Sequence, residues 1–93
     1  MENFIVIDDK SRLTLKEFCF ALSTTEDTVA AMVEHAVIHP AGARREEWYF
    51  NADCLRRGRI AASFYHELEV NMPGVSLALT LIDEIQALKK AIK

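Results

Sequence analysis

The sequence predicts a mainly α fold: a winged helix-turn-helix with a short N-terminal strand, a two-strand wing and two C-terminal helices. Three observations carry this expectation. Two short amphipathic segments are separated only by Ser23-Thr24-Thr25, the spacing of a helix-turn-helix. Next come an extended Val37-Ile38-His39-Pro40 segment, a polar excursion over 41–47 and the aromatic run Trp48-Tyr49-Phe50. Two longer helical patterns then follow, divided by Asn71-Met72-Pro73-Gly74.

Each element has a local cause. Asn3-Phe4-Ile5-Val6-Ile7 is a β-prone run stopped by Asp8-Asp9, read as a short strand. Thr14-Leu-Lys-Glu17 is a capping box. It opens a helix over 14–22 with Leu15, Phe18, Cys19 and Leu22 on one face. Thr25 caps a second helix, with Glu26 and Asp27 in its first turn, where the helix dipole favours anions. The apolar stripe of that helix is Val29, Met32, Val33 and Ala36. Pro40 forces the residue before it out of helix, so 37–40 is extended. Strand alternation turns Trp48 and Phe50 inward and Tyr49 outward, although Trp48 could equally be an exposed binding anchor.

Asn51 caps a third helix predicted over 52–71, with Leu55, Ile60, Ala61, Phe64, Leu68 and Cys54 as inward candidates. A fourth helix is predicted over 75–92. It carries two apolar stripes: Val75, Ala78, Leu79 and Ile82 on one side, and Leu77, Leu81, Ile85, Leu88 and Ile92 on the other. A helix apolar on two sides wants two partners, its own domain and something else. In so short a chain a second copy is the economical partner, so the second stripe is the expected dimer interface. The chain divides into a winged helix-turn-helix part over 1–51 and a helical dimerisation part over 52–93.

The 93 residues make one domain. Such a domain buries only about 60–65% of its unfolded surface, so pairing would help it. Cys19 and Cys54 stand apart, with no CxxC pair, and read as reduced core thiols of a cytoplasmic protein. The N-terminus lacks the basic and apolar regions of a signal peptide. No run approaches the ~20 apolar residues of a membrane span, so no membrane association is expected.

No catalytic site, metal or cofactor is expected. The sequence holds no G-x-S-x-G, Walker loop or G-x-G-x-x-G. His35 and His39 are four apart, but Pro40 ends any helix there and no further ligand stands beside them.

Charge is the most informative feature. Net charge is −3, and between Glu17 and Ala43 there is no Lys or Arg. That stretch contains the whole second helix, with Glu26, Asp27 and Glu34. In a helix-turn-helix reader this helix enters the major groove. Affinity for DNA comes chiefly from cations neutralising phosphates, so an acidic recognition helix would be repelled. The compensating residues, Arg44, Arg45, Arg56, Arg57 and Arg59, sit in the wing and on the third helix. Pairing of Arg45 with Glu46 or Glu47 across the loop would neutralise part of that charge. Nucleic acid is therefore an unlikely partner, and the protein is read as a non-enzymatic binding module.

Leu15-Lys-Glu-Phe-Cys19, Val37-Ile-His-Pro40, Trp48-Tyr-Phe50, His66-Glu-Leu68 and above all Pro73-Gly-Val-Ser-Leu-Ala-Leu-Thr-Leu-Ile-Asp-Glu-Ile85 resemble the CbpM family of chaperone modulators. The resemblance covers residues 13–88. It implies a MerR-like homodimer in the bacterial cytoplasm. It also implies binding to the J-domain of CbpA, a DnaJ-type co-chaperone, and inhibition of that co-chaperone's stimulation of DnaK. The family's J-domain partner presents a basic helix, which suits the carboxylates found here. Two positions depart from the family pattern: Ala36 stands where a Gly is expected, and Ser63 where an Arg is common.

The expected partner-binding residues are Glu26, Asp27, Glu34, Glu46, Glu47 and Trp48, chosen from charge and aromatic character. The alternative function is a MerR-like DNA-binding regulator that relies on the wing and third-helix arginines. A plain dimerisation or scaffold module is a third possibility.

Overall fold

The computed structural model describes residues 12–92. The expected strand over 3–7 lies outside the described residues. The order is β1 (Leu13–Thr14), α1 (Leu15–Leu22), α2 (Glu26–Glu34), β2 (Tyr49–Phe50), α3 (Ala52–Ala62) and α4 (Met72–Ala91). A 3-10 turn, Arg45–Glu47, precedes β2, and a π turn, Ser63–Glu67, extends α3. This is the expected mainly α winged helix-turn-helix.

The capping box forms as read. The Glu17 amide donates to Thr14 Oγ1 at 3.3 Å, and the Thr14 amide donates to Glu17 Oε1 at 2.9 Å. Helix α1 stops at Ser23, whose backbone turns left-handed at φ 55°. Thr25 Oγ1 then accepts from the Thr28 amide at 3.1 Å and starts α2. Helix α2 ends in a Schellman motif: the Ala36 amide donates to Val33 O at 3.0 Å and the Val37 amide to Met32 O at 2.8 Å. Val37 and Met32, the apolar pair that accompanies this motif, are both fully buried. Ala36 takes the left-handed position at φ 61°, where a glycine would be unstrained.

Strands β1 and β2 pair antiparallel, Leu13 opposite Phe50 and Thr14 opposite Tyr49. The other edge of β2 carries the wing. Ala41 and Tyr49 exchange two backbone hydrogen bonds of 3.0 Å. The first limb of the wing therefore pairs at Ala41, one residue beyond the extended 37–40 segment. Gly42 at φ 106° permits this loop, because a Cβ there would run into the Glu47 carbonyl.

Phe50 is fully buried, as alternation predicts, and stacks on Phe18 with ring centroids 4.1 Å apart at 11°. Around this pair sit Val29, Met32, Val37, Ile38, Val75 and Leu79, contributed by α2, the connecting segment and α4. Cys19 and Cys54 are buried free thiols.

Helix α3 differs from the prediction. Asn51 Oδ1 accepts from the Cys54 amide at 2.9 Å, as expected of the cap. The α ladder gives way after Ala62 to the π turn, and the chain leaves through Glu69 at φ 55°. Leu68, at the exit, is 62% exposed, and Ile60 is 37% exposed. Neither fills the core as expected. The buried face of α3 instead carries Cys54, Leu55, Gly58, Ala61 and Ala62. Ile60 lies about 140° around the helix from Leu55. Small residues are required because α1 crosses closely: a Cβ on Gly58 would meet Leu22 Cδ1 and Phe18 Cζ at 2.9 Å each.

Helix α4 starts three residues before the expected boundary. Asn71 Oδ1 accepts from the Gly74 amide at 2.9 Å, and Pro73 sits in the first turn. A proline is tolerated there because its missing donor would have no helical partner anyway. Two polar bonds tie α4 down. Ser76 Oγ donates to His35 O at 2.9 Å, joining α4 to the end of α2. Arg57 donates from Nε to Val37 O at 2.9 Å and from Nη1 to Asp83 Oδ1 at 2.8 Å.

Two consequences are measurable. Gly58→Ala gains helix propensity but overpacks the α1–α3 crossing; a net loss of about 1–2 kcal/mol is expected in urea unfolding. Ala36→Gly relieves the left-handed alanine, and a gain of about 0.5–1 kcal/mol is expected in the same assay.

Candidate partner-binding surface

The first turn of α2 faces the wing. Glu26 and Asp27 are exposed there, at the end of the helix that favours negative charge. The 3-10 turn of the wing presents Arg45, Glu46 and Glu47, all exposed. Trp48 is half-buried, its ring edge-on to Phe50 at 6.1 Å and 83°. Tyr49 points outward and is 49% exposed.

These elements enclose an open groove of about 480 Å³. Thr14, Leu15 and Lys16 form one wall, Glu26 closes the α2 end, and Arg45, Glu46, Trp48 and Tyr49 form the wing side. The groove thus has an apolar and aromatic body with charged lips. Cys19 lies close to Glu26 at its α2 end and to Arg45 on its wing side. Burial pushes the Cys19 thiol above its ordinary range, the nearby Glu26 carboxylate adds to this, and Arg45 opposes it. A buried thiol kept protonated is a packing group, not a nucleophile.

Of the six expected partner-binding residues, the structure gathers Glu26, Glu46 and Trp48 on this groove. Asp27 stands beside it, 3.8 Å from Arg45. Glu47 is paired with Arg44 at 3.3 Å. Glu34 is exposed at the far end of α2, about 12 Å along the axis from Glu26. Leu15, Lys16, Arg45 and Tyr49 belong to the groove but were not among the expected residues. The outward turn of Tyr49 was readable from strand alternation. The wall from α1 was not, because it depends on β1 pairing with β2.

Four of the five compensating arginines are engaged. The loop pairing is Arg44 with Glu47 and Arg45 with Asp27, not Arg45 with Glu46 or Glu47. Arg56 pairs with Asp53, and Arg57 is turned inward onto Val37 O and Asp83. Exposed pairs of this kind stabilise by under ~1 kcal/mol each. They nonetheless cancel the charge a nucleic-acid reader would spend on phosphates. Arg59 lines a separate shallow groove with His66 and Glu67. There the His66 Nε2 and Thr24 Oγ1 lie 2.8 Å apart and join the helix-turn-helix turn to the π turn.

The stripe Leu77, Leu81, Ile85, Leu88 and Ile92 is between 50% and 76% exposed. The inner stripe packs on the domain through buried Val75 and Leu79 and half-buried Ile82. From Asp83 to Ile92 every residue is exposed. Among the described residues, no group of three or more His, Cys, Asp or Glu is placed to hold a metal. No helix among them is long and apolar enough to cross a membrane.

Residues 13–93 match the family described as MerR helix-turn-helix regulatory proteins. The chain is also similar to proteins named chaperone modulatory protein CbpM. It is 40% identical to that of Coxiella burnetii (strain Dugway 5J108-111) over 89 residues, which cover 96% of this chain and 84% of the relative. It is 37% identical to that of Pseudomonas putida (strain W619) over 78 residues, covering 84% and 77%. For Pseudomonas entomophila (strain L48) the identity is 33% over the same coverage.

Proposed function

The chain belongs to the MerR helix-turn-helix regulatory family and, within it, to the CbpM chaperone modulators; from that premise we propose that it binds the J-domain of a CbpA-like co-chaperone and inhibits that co-chaperone's stimulation of DnaK. The single observation that carries this reading is the groove beside α2. On the helix where a DNA reader places cations, this chain places carboxylates, next to an apolar body containing Trp48 and Tyr49; of the two cations that border the groove, Lys16 and Arg45, the second stands beside Asp27. Such a surface suits a basic protein helix: carboxylates steer the encounter and aromatic side chains supply contact area. No covalent chemistry is involved. The modulator acts by occupying the surface that DnaK needs.

Glu26, Asp27, Glu46 and Trp48 are the central contacts in this reading, with Glu47 and Glu34 at its margins. The active form is a homodimer joined through Leu77, Leu81, Ile85, Leu88 and Ile92, the exposed stripe of α4. The reduced, buried cysteines suit a cytoplasmic setting.

Calorimetric titration of the full chain into an isolated CbpA-type J-domain tests the partner. Saturable binding near one J-domain per protomer, weakened by added salt, is expected. Reversal of both Glu26 and Asp27 to Lys should cost about tenfold or more in affinity, or roughly 1.4 kcal/mol. Unchanged affinity in that variant would move the surface elsewhere. Absence of binding by the folded chain would reject the J-domain assignment and turn attention to DNA retention.

For the dimer, Leu81→Glu or Leu88→Glu places a charge in an apolar seam. Sedimentation should then show monomers, or chains that no longer fold. A stable, folded dimer in either variant would relocate the interface.

A further inference from the structure

The groove carries one charge that has no part in the contacts proposed above. Lys16 belongs to its α1 wall and is exposed. It is the second residue of α1, in the turn where the helix dipole favours anions and penalises a cation. No carboxylate of the chain offsets this placement. The adjacent Glu17 is committed to the Thr14 amide at 2.9 Å. Cys19 and Phe20, which share the face of Lys16 one turn on, carry no charge. Lys16 has no ion pair among the described residues, and neither do Glu26 and Glu46. The other cation of the groove, Arg45, stands 3.8 Å from Asp27.

The three uncompensated charges lie on different sides. Lys16 is on the wall from α1, Glu46 on the wing side and Glu26 at the α2 end. A docked helix with cations on every side would meet its like at Lys16, and like charges brought together across an interface are costly. A helix with cations on one flank of its apolar stripe and a carboxylate on the other meets an opposite charge on both walls. The dipole of α1 favours that carboxylate as well. The same asymmetry fixes direction, because turning a helix end for end in the groove exchanges its flanks.

We propose that Lys16 is the specificity-determining residue of the groove: it takes a carboxylate of the docked helix, selects helices of mixed charge over uniformly basic ones, and sets the direction in which they lie. Such a residue acts as much by repelling the wrong partner as by attracting the right one. The proposal deepens the groove reading above, on which it rests, and its charge pattern can be tested without a J-domain.

Two synthetic amphipathic helices of about 20 residues, roughly 30 Å long, serve as probes in calorimetric titration of the full chain. The first carries lysines on one flank of an apolar stripe and glutamates on the other; the second carries lysines on both flanks. The first should bind at least about fivefold tighter, and the order should reverse in Lys16→Glu. Trp48 is the one tryptophan of the chain and lines the groove, so a change in its fluorescence places the peptide there. Equal affinities, tighter binding of the all-lysine helix, or no binding of either peptide by the folded chain overturns the proposal. Unfolding does not imitate the expected result: a glutamate in the first turn of α1 suits the dipole, so the variant should melt no lower than the parent chain. With the isolated J-domain, Lys16→Glu should weaken binding about fivefold. A uniformly basic contact predicts the opposite sign, since the variant exchanges a repulsion for an attraction. Unchanged or raised affinity there overturns the role of Lys16 and keeps the J-domain assignment. A chain that prefers the mixed-charge peptide but ignores the J-domain upholds Lys16 and rejects that assignment.

Discussion

The stacking of Phe18 on Phe50 is the constraint on which the other arrangements depend. It fixes α1 against the wing strand, with centroids 4.1 Å apart. It also sets the height at which α3 must cross, because Phe18 Cζ and Leu22 Cδ1 occupy the space a side chain at Gly58 would need. With α1, β2 and α3 locked in this way, β1 pairs with β2 by continuity, since it immediately precedes α1. The groove is a by-product of that lock. Its Leu15 wall, its Trp48 edge and its Tyr49 lip all belong to segments that touch Phe18 or Phe50 or pair beside them. A substitution that loosened the stack would therefore damage the groove without touching any residue that lines it.

The electrostatics follow from the same geometry. In the sequence the chain is bipolar, with an acidic second helix and a basic wing. The fold brings the two poles together at Asp27, which reaches Arg45, while within the wing Glu47 pairs with Arg44 three residues before it. The arginines that a DNA-binding reading requires are thereby partly neutralised by their own domain. Glu26 and Glu46 form no such pair among the described residues, and both border the groove. What is left over at the groove after internal pairing is two carboxylates, Glu26 and Glu46, against one cation, Lys16, beside an aromatic body. This, more than net charge, separates a protein-binding surface from a phosphate-binding one.

Local signals in the sequence were legible and specific. The Thr14 box, the Thr25 and Asn51 caps and the burial of Phe50 all follow from hydrogen bonding or alternation within a few residues, whereas Asn71, read only as part of a break, caps α4. The family expectation of glycine at Ala36 has a backbone counterpart, because that position is left-handed. What could not be read was decided by contact across the chain. Ile60 looked like core by residue type, but the α1 crossing reserves that face for Gly58, Ala61 and Ala62. Leu68 looked like a continuation of the same stripe, but the π turn redirects the helix before it. The α1 wall of the groove was hidden because a two-residue strand leaves no periodic trace. Half of the groove was therefore visible as charge and aromatics in one stretch, and the other half became visible only with the fold.

Helix α2 explains how one small domain can carry two independent surfaces. Its first turn holds Glu26 and borders the groove, while its last turn holds His35, whose carbonyl accepts from Ser76 of α4. The two ends are about 13 Å apart. In the proposed dimer, pairing through the outer face of α4 would act on the far end of α2 and leave the groove uncovered. Binding at the groove likewise removes nothing from the seam. The tie between them is polar and short-ranged: Ser76 to His35, and Arg57 to Val37 and Asp83. These bonds hold α4 at one angle to the helix-turn-helix. In the proposed dimer they would therefore set how two grooves are presented to a partner, and the two geometries would meet at Arg57 rather than at any residue of either proposed interface.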